Sequence, residues 1–478
     1  MKNNYLRLVI MLLFAVLASV VNAADVNEKD SIPYDFYELN ADNDTIWYKI
    51  TSREDMTCEV TFRKYKGEYV DYSDTLRYSG NIVIPAIVLH NDTIYTVTGI
   101  GNDAFMCCFY LENIELPNTI KYIGFEGINY CDSLKSIKLP ESLEELGRYA
   151  LGNNEGLISV TIPASVKKIG AGAFFYCSNL ETIEVDDAND YYTDEDGVLY
   201  TKDMGTLVCY PANKSGDSYA INEKCKKIEE QAFCDCKDLK DIVLPEGLDS
   251  IMSWAFAWCN SMESINIPAS VRCITNGSVF YFCESLSTIT VDKENPYYMV
   301  EDNVLFDSDK TTLVSFVPNN SLTTYSIPES VDSIVFEAFF YPQNLKKVVI
   351  PTSVNYIGNY AFYSNSEISN LIDTIVCKFS TPIERVDSVT FGYEMYEKTI
   401  LVVPDGSKVK YQENYPWSLF KNVMTESEVT GINEINADNT PASVTTDDRI
   451  YDLQGRRLDT VPGDGILYIK DGRKYFGN

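Results

Sequence analysis

The chain contains a single histidine, His90, inside "VLHNDTIY". A Ser-His-Asp or Cys-His arrangement needs a base beside its nucleophile, and only His90 could supply an imidazole. Its polar surroundings, next to a strand-like run, read more simply as a surface turn. One histidine also cannot build a His-rich zinc site. Cys234 and Cys236 form "CDC", but no second paired motif accompanies them. Acid-rich stretches at 186–197 ("DDANDYYTDEDG") and 292–303 ("DKENPYYMVEDN") offer the carboxylates a calcium ion wants. Their spacing does not follow an EF-hand loop, and a solvated acidic loop is the simpler reading. Acids set across a cleft for glycoside hydrolysis leave no spacing signature, and nothing here points to such a pair. The chain is therefore read as a non-enzyme, with no catalytic residue, metal or cofactor.

Each acidic stretch also carries a tyrosine pair, Tyr191–Tyr192 and Tyr297–Tyr298. Exposed aromatic rings stack on sugars or anchor a protein partner. The alternative is that they pack beneath their own loops.

What positions these residues is a repeat. Apolar residues closing short strands recur at Leu116, Leu139, Ile162, Val185, Ile221, Leu244, Ile267, Val291, Ile327 and Ile350. The steps are 23 or 24 residues, except for two of 36, Val185 to Ile221 and Val291 to Ile327. Most of these residues precede proline, which turns the chain and cannot extend a ladder. Ile84 and Val403 extend the series, and Val376 is a weaker candidate between Ile350 and Val403. In one coil, "SVTIPASVKKIGAGAFFYCSNL" (159–180), Val166, Ile169, Ala173 and Phe174 point inward and Gly170 permits a bend. One such coil buries too little to offset the ordering of its backbone, so the coils must stack. The period predicts a β-rich solenoid with a parallel sheet on one face.

The two 36-residue steps each hold an insert, "DGVLYTKDMGTLVCYP" (196–211) and "DNVLFDSDKTTLVSFVP" (302–318), both patterned as β-hairpins. Equivalent positions lie 106 residues apart, as Ala232 and Ala338 do, which indicates a duplicated block. The hairpins are expected to project as paired ribs. Cys108, Cys131, Cys177, Cys236, Cys259 and Cys283 share one position of the repeat. A packing lane of small buried thiols explains that phase, with a disulfide framework as the competitor in an exported protein.

Composition frames the rest. The chain has 478 residues and a net charge of −31, which repels nucleic acid and anionic membranes. Lys2 and Arg7 precede an apolar run ending in "VNA", a signal peptide at 1–23 with the cut after Ala23. No further stretch is apolar enough to span a membrane, so an exported protein is expected, cell-surface or extracellular. Residues 24–80 read as a β-rich N-terminal cap, 81–426 as the solenoid, 427–448 as a polar linker and 449–478 as a strand-patterned tail.

The coil pattern L-x-x-I-x-L-P-x-x-V-x-x-I-G-x-x-A-F-x-x-C, best matched at 157–177, 239–259 and 345–362, resembles the BspA-type leucine-rich repeat of bacterial surface proteins. Departures are "GINYC" at 127–131 and Pro342 in the cysteine place. That resemblance implies a leucine-rich-repeat solenoid, export, and roles in adhesion or binding. The tail, with "IYDLQGRRL" (450–458) and "GILYIKDGRKY" (465–475), resembles a C-terminal sorting domain of the type IX secretion pathway.

Alternation along the strands predicts one outward row: Glu115, Lys138, Thr161, Glu184, Val243, Asn266, Thr290 and Val349. The expected ligand face comprises Glu115, Lys138, Thr161, Glu184, Asn266 and Thr290, together with Tyr191, Tyr192, Tyr297 and Tyr298. The leading expectation is a monomeric, adhesin-like binder of an extracellular protein. A glycan-binding module of a nutrient-capture system and a structural spacer are the alternatives.

Overall fold

The computed structural model describes residues 34–62, 78–363 and 371–430, with 450–451, 457–458, 467–470 and 473–476 of the tail. The expected signal peptide, most of the expected linker and much of the tail lie outside the described residues. The chain is a β-solenoid of about 14 turns of roughly 23 residues. Contacts divide it into two compact units, 1–156 with 165–173, and 157–164 with 174–478.

In the first unit, Phe36–Leu39, Thr45–Ser52 and Thr57–Thr61 form an antiparallel meander. Thr93–Ile100 joins Thr57–Thr61 in parallel, and the same sheet continues into the rungs Tyr122–Ile123, Glu145–Leu146 and Lys168–Ile169. The first strands are thus hydrogen-bonded directly into the repeat. Gly80–Val83 pairs in parallel with Leu111–Glu115, which brings Ile84 level with Leu116. Lysines of one rung meet glutamates of the rung before, Lys167 with Glu144 (2.7 Å) and Lys168 with Glu145 (2.6 Å).

In the second unit most coils contribute to two parallel ladders, where the sequence foresaw one. The first contains the expected strands, including Ser159–Ile162 with Thr182–Val185 and Ser264–Ile267 with Thr288–Val291. The second is built of two-residue rungs, among them Lys227–Ile228, Ser250–Ile251 and Cys273–Ile274. Each rung comes from the V-x-x-I part of the coil and is too short to display alternation. Register also corrects one position. Cys377, not Val376, lies level with Ile350, because the connection before that strand is longer than in a regular coil.

The remaining side of most coils is a ribbon of turns whose backbone N–H groups donate alternately to the next coil and within their own. Gln231, Phe233 and Asp235 donate N–H bonds to Ser253, Ala255 and Ala257 of the next coil, while Ala232, Cys234 and Cys236 donate within their own. This requires positive φ at non-glycine residues, including Gln231 (62°), Asp235 (65°), Trp254 (54°) and Trp258 (59°). Left-handed backbone costs such residues about 1–2 kcal/mol each. The inter-coil bonds that offset it exist only in the stack, so stacking is built into the backbone.

The duplicated block is visible in the core. Tyr210 stacks on Phe233 at 5.1 Å and Phe233 on Phe256 at 5.3 Å. Their counterparts repeat the arrangement, Phe316 on Phe339 at 5.2 Å and Phe339 on Phe362 at 4.9 Å. All thirteen cysteines are free thiols. The lane is real and has a bonding role: Cys131, Cys259 and Cys283 donate to the carbonyls of Phe105, Phe233 and Phe256 in the preceding coil, at 3.2, 3.1 and 2.9 Å.

Both inserts form the expected hairpins, Val198–Thr201 with Thr206–Cys209 and Val304–Asp307 with Thr312–Phe316. They do not project freely. Each gains a leading strand, Tyr192–Glu195 or Tyr298–Glu301, and its last strand enters the ladder of short rungs. Val198, Leu199 and Tyr200 are all buried, as are Val304, Leu305 and Phe306. Three consecutive apolar residues bury both faces of a strand, and alternation is lost.

Candidate binding surface

The two enlarged coils carry the most elaborated surface. Each begins with a buried asparagine that sequence reasoning missed. Asn189 accepts the N–H groups of Tyr191 and Tyr192 through Oδ1, both at 2.8 Å, and donates to Pro163 O at 2.8 Å. Asn295 does the same for Tyr297 (2.8 Å) and Tyr298 (2.9 Å), and donates to Pro268 O (2.8 Å) and Val271 O (3.0 Å). A buried amide satisfied on both sides fixes its loop. The only sequence signal was an asparagine two residues before each tyrosine pair.

The clamps divide the tyrosine pairs. Tyr191 and Tyr297 are 49% and 46% exposed. Tyr192 is buried at 8%, and Tyr298 is half-buried, its hydroxyl accepting the Ile274 N–H at 2.7 Å. Of the four rings expected on the ligand face, the second of each pair is therefore placed inward. Alternation explains it, because Tyr192 and Tyr298 open strands whose inner side meets the core.

The outward row is less uniform than the repeat suggests. Thr161 and Glu184 are exposed neighbours in register, as are Asn266 and Thr290, whose hydroxyl donates to Asn266 Oδ1 at 2.8 Å. Val243 is exposed, but further along the same row Val376, Val402 and Met424 are buried. Glu115 and Lys138 are exposed and belong to the first unit.

Within the first enlarged coil the regular stacking is broken by a wedge. The turn after Tyr192–Glu195 occupies the place beside Thr182–Val185, where the Ile183 N–H donates to Gly197 O at 2.9 Å. A cleft of about 500 Å³ opens there, walled by Glu181, Thr182, Glu184, Asp194, Asp196 and Lys214 among others. Asp194 is fixed by N–H bonds from Val185 (2.9 Å) and Gly197 (3.3 Å). Lys214 grips the turn, with Nζ 2.6 Å from Asp196 O and 2.8 Å from its carboxylate. That bond holds the Asp196 carboxyl below its ordinary pKa. In the second copy Asn320 does this work, donating to Asp302 O at 2.7 Å. Ser287, Thr290 and Val300 stand there in place of Glu181, Glu184 and Asp194.

His90 lies elsewhere, in the first unit. Its Nδ1 is 3.0 Å from Glu38 Oε1 and its ring stacks on Phe36 at 4.2 Å. Among the described residues no cluster of three or more His, Cys, Asp or Glu side chains is arranged to hold a metal ion, and no helix is long and apolar enough to cross a membrane.

A sequence profile of the BspA type leucine rich repeat region matches residues 98–195, 209–319 and 310–393, in six copies. Among solved structures, the chain is similar to a leucine rich cell surface protein of Faecalibacterium prausnitzii, with 21% identity, 87% of this chain and 100% of that one covered, and a TM-score of 0.41. It is also similar to a leucine-rich repeat protein of Eubacterium ventriosum, with 22% identity, coverage of 68% and 93%, and a TM-score of 0.46. A third, from Bacteroides ovatus, gives 22% identity, coverage of 72% and 94%, and a TM-score of 0.35. No curated protein matches the chain.

Proposed function

Because the chain belongs to the BspA-type leucine-rich repeat family, we propose that it is an exported, surface-presented binding protein that holds another extracellular protein and performs no catalysis. The observation that carries this reading is the pair of exposed tyrosines, Tyr191 and Tyr297, whose backbone N–H groups are each held by a buried asparagine, repeated by duplication in one unit. Preorganised aromatic side chains contribute contact area at low entropic cost. The family's surface proteins support a location at the cell surface, and the type IX-like tail supports export by that route. The domain scheme of cap, solenoid, linker and sorting segment belongs to the same proposal.

The test is a solid-phase screen of the chain, without its signal peptide, against extracellular matrix proteins, a neutral glycan array and a panel of hydrolase substrates. Saturable binding to a protein, weakened when Tyr191 and Tyr297 become alanine, is the expected result. Turnover of a substrate that is lost with one acid pair would overturn it. The exposed rings also favour a second reading, stacking on a neutral glycan, which the array arm scores directly.

A further inference from the structure

The two enlarged coils differ in charge, and that difference speaks to the chemistry of the partner. We propose that they take one extended, basic polypeptide segment, with a lysine or arginine seated in the cleft of the first coil and the backbone running toward Tyr297. The proposal rests on the protein-binding reading above and adds to it the partner's chemistry.

Several observations converge. The cleft presents carboxylates from two directions, Glu181 and Glu184 beside one strand, and Asp194 and Asp196 from the facing strand and its turn. Its one cation, Lys214, is already held by Asp196. Among the described residues neither Glu181 nor Glu184 has an ion-pair partner. Asp194 is locked by two backbone bonds and acts as a preformed acceptor. A guanidinium offers the donors such walls lack, and its planar fork suits paired carboxylate oxygens. Tyr191, before the same turn, and Tyr297 are half-exposed aromatic rings, a type of group that attracts cationic side chains. The net charge of −31 draws basic partners and repels acidic ones.

Spacing supports one ligand rather than two. Four coils separate Tyr191 from Tyr297, on the order of 20 Å or more at ~4.8 Å per strand. An extended chain covers that distance in about six or more residues at ~3.3 Å each. Linking two weak contacts in this way multiplies affinity without new contacts. The second copy keeps Asp302 but has Ser287, Thr290 and Val300 in place of the other three acids, so the two ends are not interchangeable and the segment has one preferred direction.

Fluorescence anisotropy with labelled deca-arginine, deca-citrulline (the same shape without charge) and maltoheptaose tests this on the chain lacking only its signal peptide. At ~0.15 M salt, deca-arginine should bind at least about tenfold more tightly than deca-citrulline. Glu181→Gln with Glu184→Gln should weaken it about tenfold, and Tyr191→Ala or Tyr297→Ala about threefold each. The charge-matched pair Glu246→Gln with Glu329→Gln, exposed and outside the cleft, should change it less than about twofold. These are surface substitutions, and circular dichroism and thermal unfolding verify that each variant folds. Equal weakening by both acid pairs would show only diffuse charge and overturn the proposal. So would silent tyrosine variants, or tyrosine-dependent binding of maltoheptaose with none of deca-arginine. If deca-arginine fails while a matrix protein still binds through Tyr191 and Tyr297, the basic-peptide chemistry falls and protein binding stands. If neither binds, both fall.

Discussion

Asn189 and Asn295 make the same bonds in the two enlarged coils, whereas Lys214 and Asn320 reach the same turn carbonyl with different chemistry. The buried framework has been kept since duplication, and the rim has changed. Each coil stacks only on its neighbours, so a framework residue must satisfy fixed backbone partners. A rim residue answers only to solvent or to a ligand. The comparison therefore separates what holds a coil from what the coil presents.

The largest expected effect tests the shared framework. Asn189→Ala and Asn295→Ala each leave two tyrosine N–H groups and a proline carbonyl without partners, and should cost about 3 kcal/mol. Urea unfolding should find similar losses in the two copies. A loss below about 0.5 kcal/mol in either would show that its loop is not held by the clamp.

Next comes a framework position where the copies differ. Glu337 is buried, with one carboxylate oxygen unpaired, and its counterpart 106 residues earlier is Gln231. Burial pushes the Glu337 carboxyl well above its ordinary pKa, with a Trp254 hydrogen bond opposing. The folded state keeps it neutral, while the unfolded chain ionises it near pH ~4.3. Its effect is absent below that pH and destabilises increasingly as pH rises. Glu337→Gln, which installs the first copy's residue, should stabilise by about 1 kcal/mol or more at pH 7 and by almost nothing at pH ~4. Gln231→Glu should do the reverse. Unfolding curves at the two pH values decide it, and a pH-independent difference would remove the titration argument.

Smaller effects belong to the rim. Lys214→Met removes two bonds from a side chain that is only 12% exposed, and should cost about 1 kcal/mol while widening the cleft. Hydrogen exchange at Gly197 would rise if the lysine holds the turn. Lys310, which replaces Met204 of the first copy, pairs with Glu301 at 2.6 Å and lies over the Phe306 ring. Lys310→Met should cost about 0.5 kcal/mol or less, because the pair is half in water. A larger loss, read by thermal unfolding, would mean that the second copy depends on its own cation.

The solenoid was legible because its signal is summed over many coils. Ile162, Ile267 and Ile350 recur in phase and close strands as expected. The duplication was equally readable from positions 106 residues apart. What escaped the sequence has local causes. Two-residue rungs such as Ser250–Ile251 cannot show a period. Val376 was one residue out because a lengthened connection shifts phase without changing composition. At the surface, the tyrosine pairs were found as pairs, but burial of Tyr192 depends on which residue opens the strand. Lys214 grips Asp196 from eighteen residues away, and no spacing rule announces that.

The thiol lane has a consequence for watching this protein come apart. Cys259 and Cys283 donate to the coil before them and are fully buried, so an alkylating reagent reaches each only when its own coil opens. The thiols are spaced along the chain in order and differ in flanking peptide, so mass spectrometry can tell them apart. The protein thus carries its own clock: the sequence in which these cysteines acquire label in mild denaturant is the order in which its turns let go of one another.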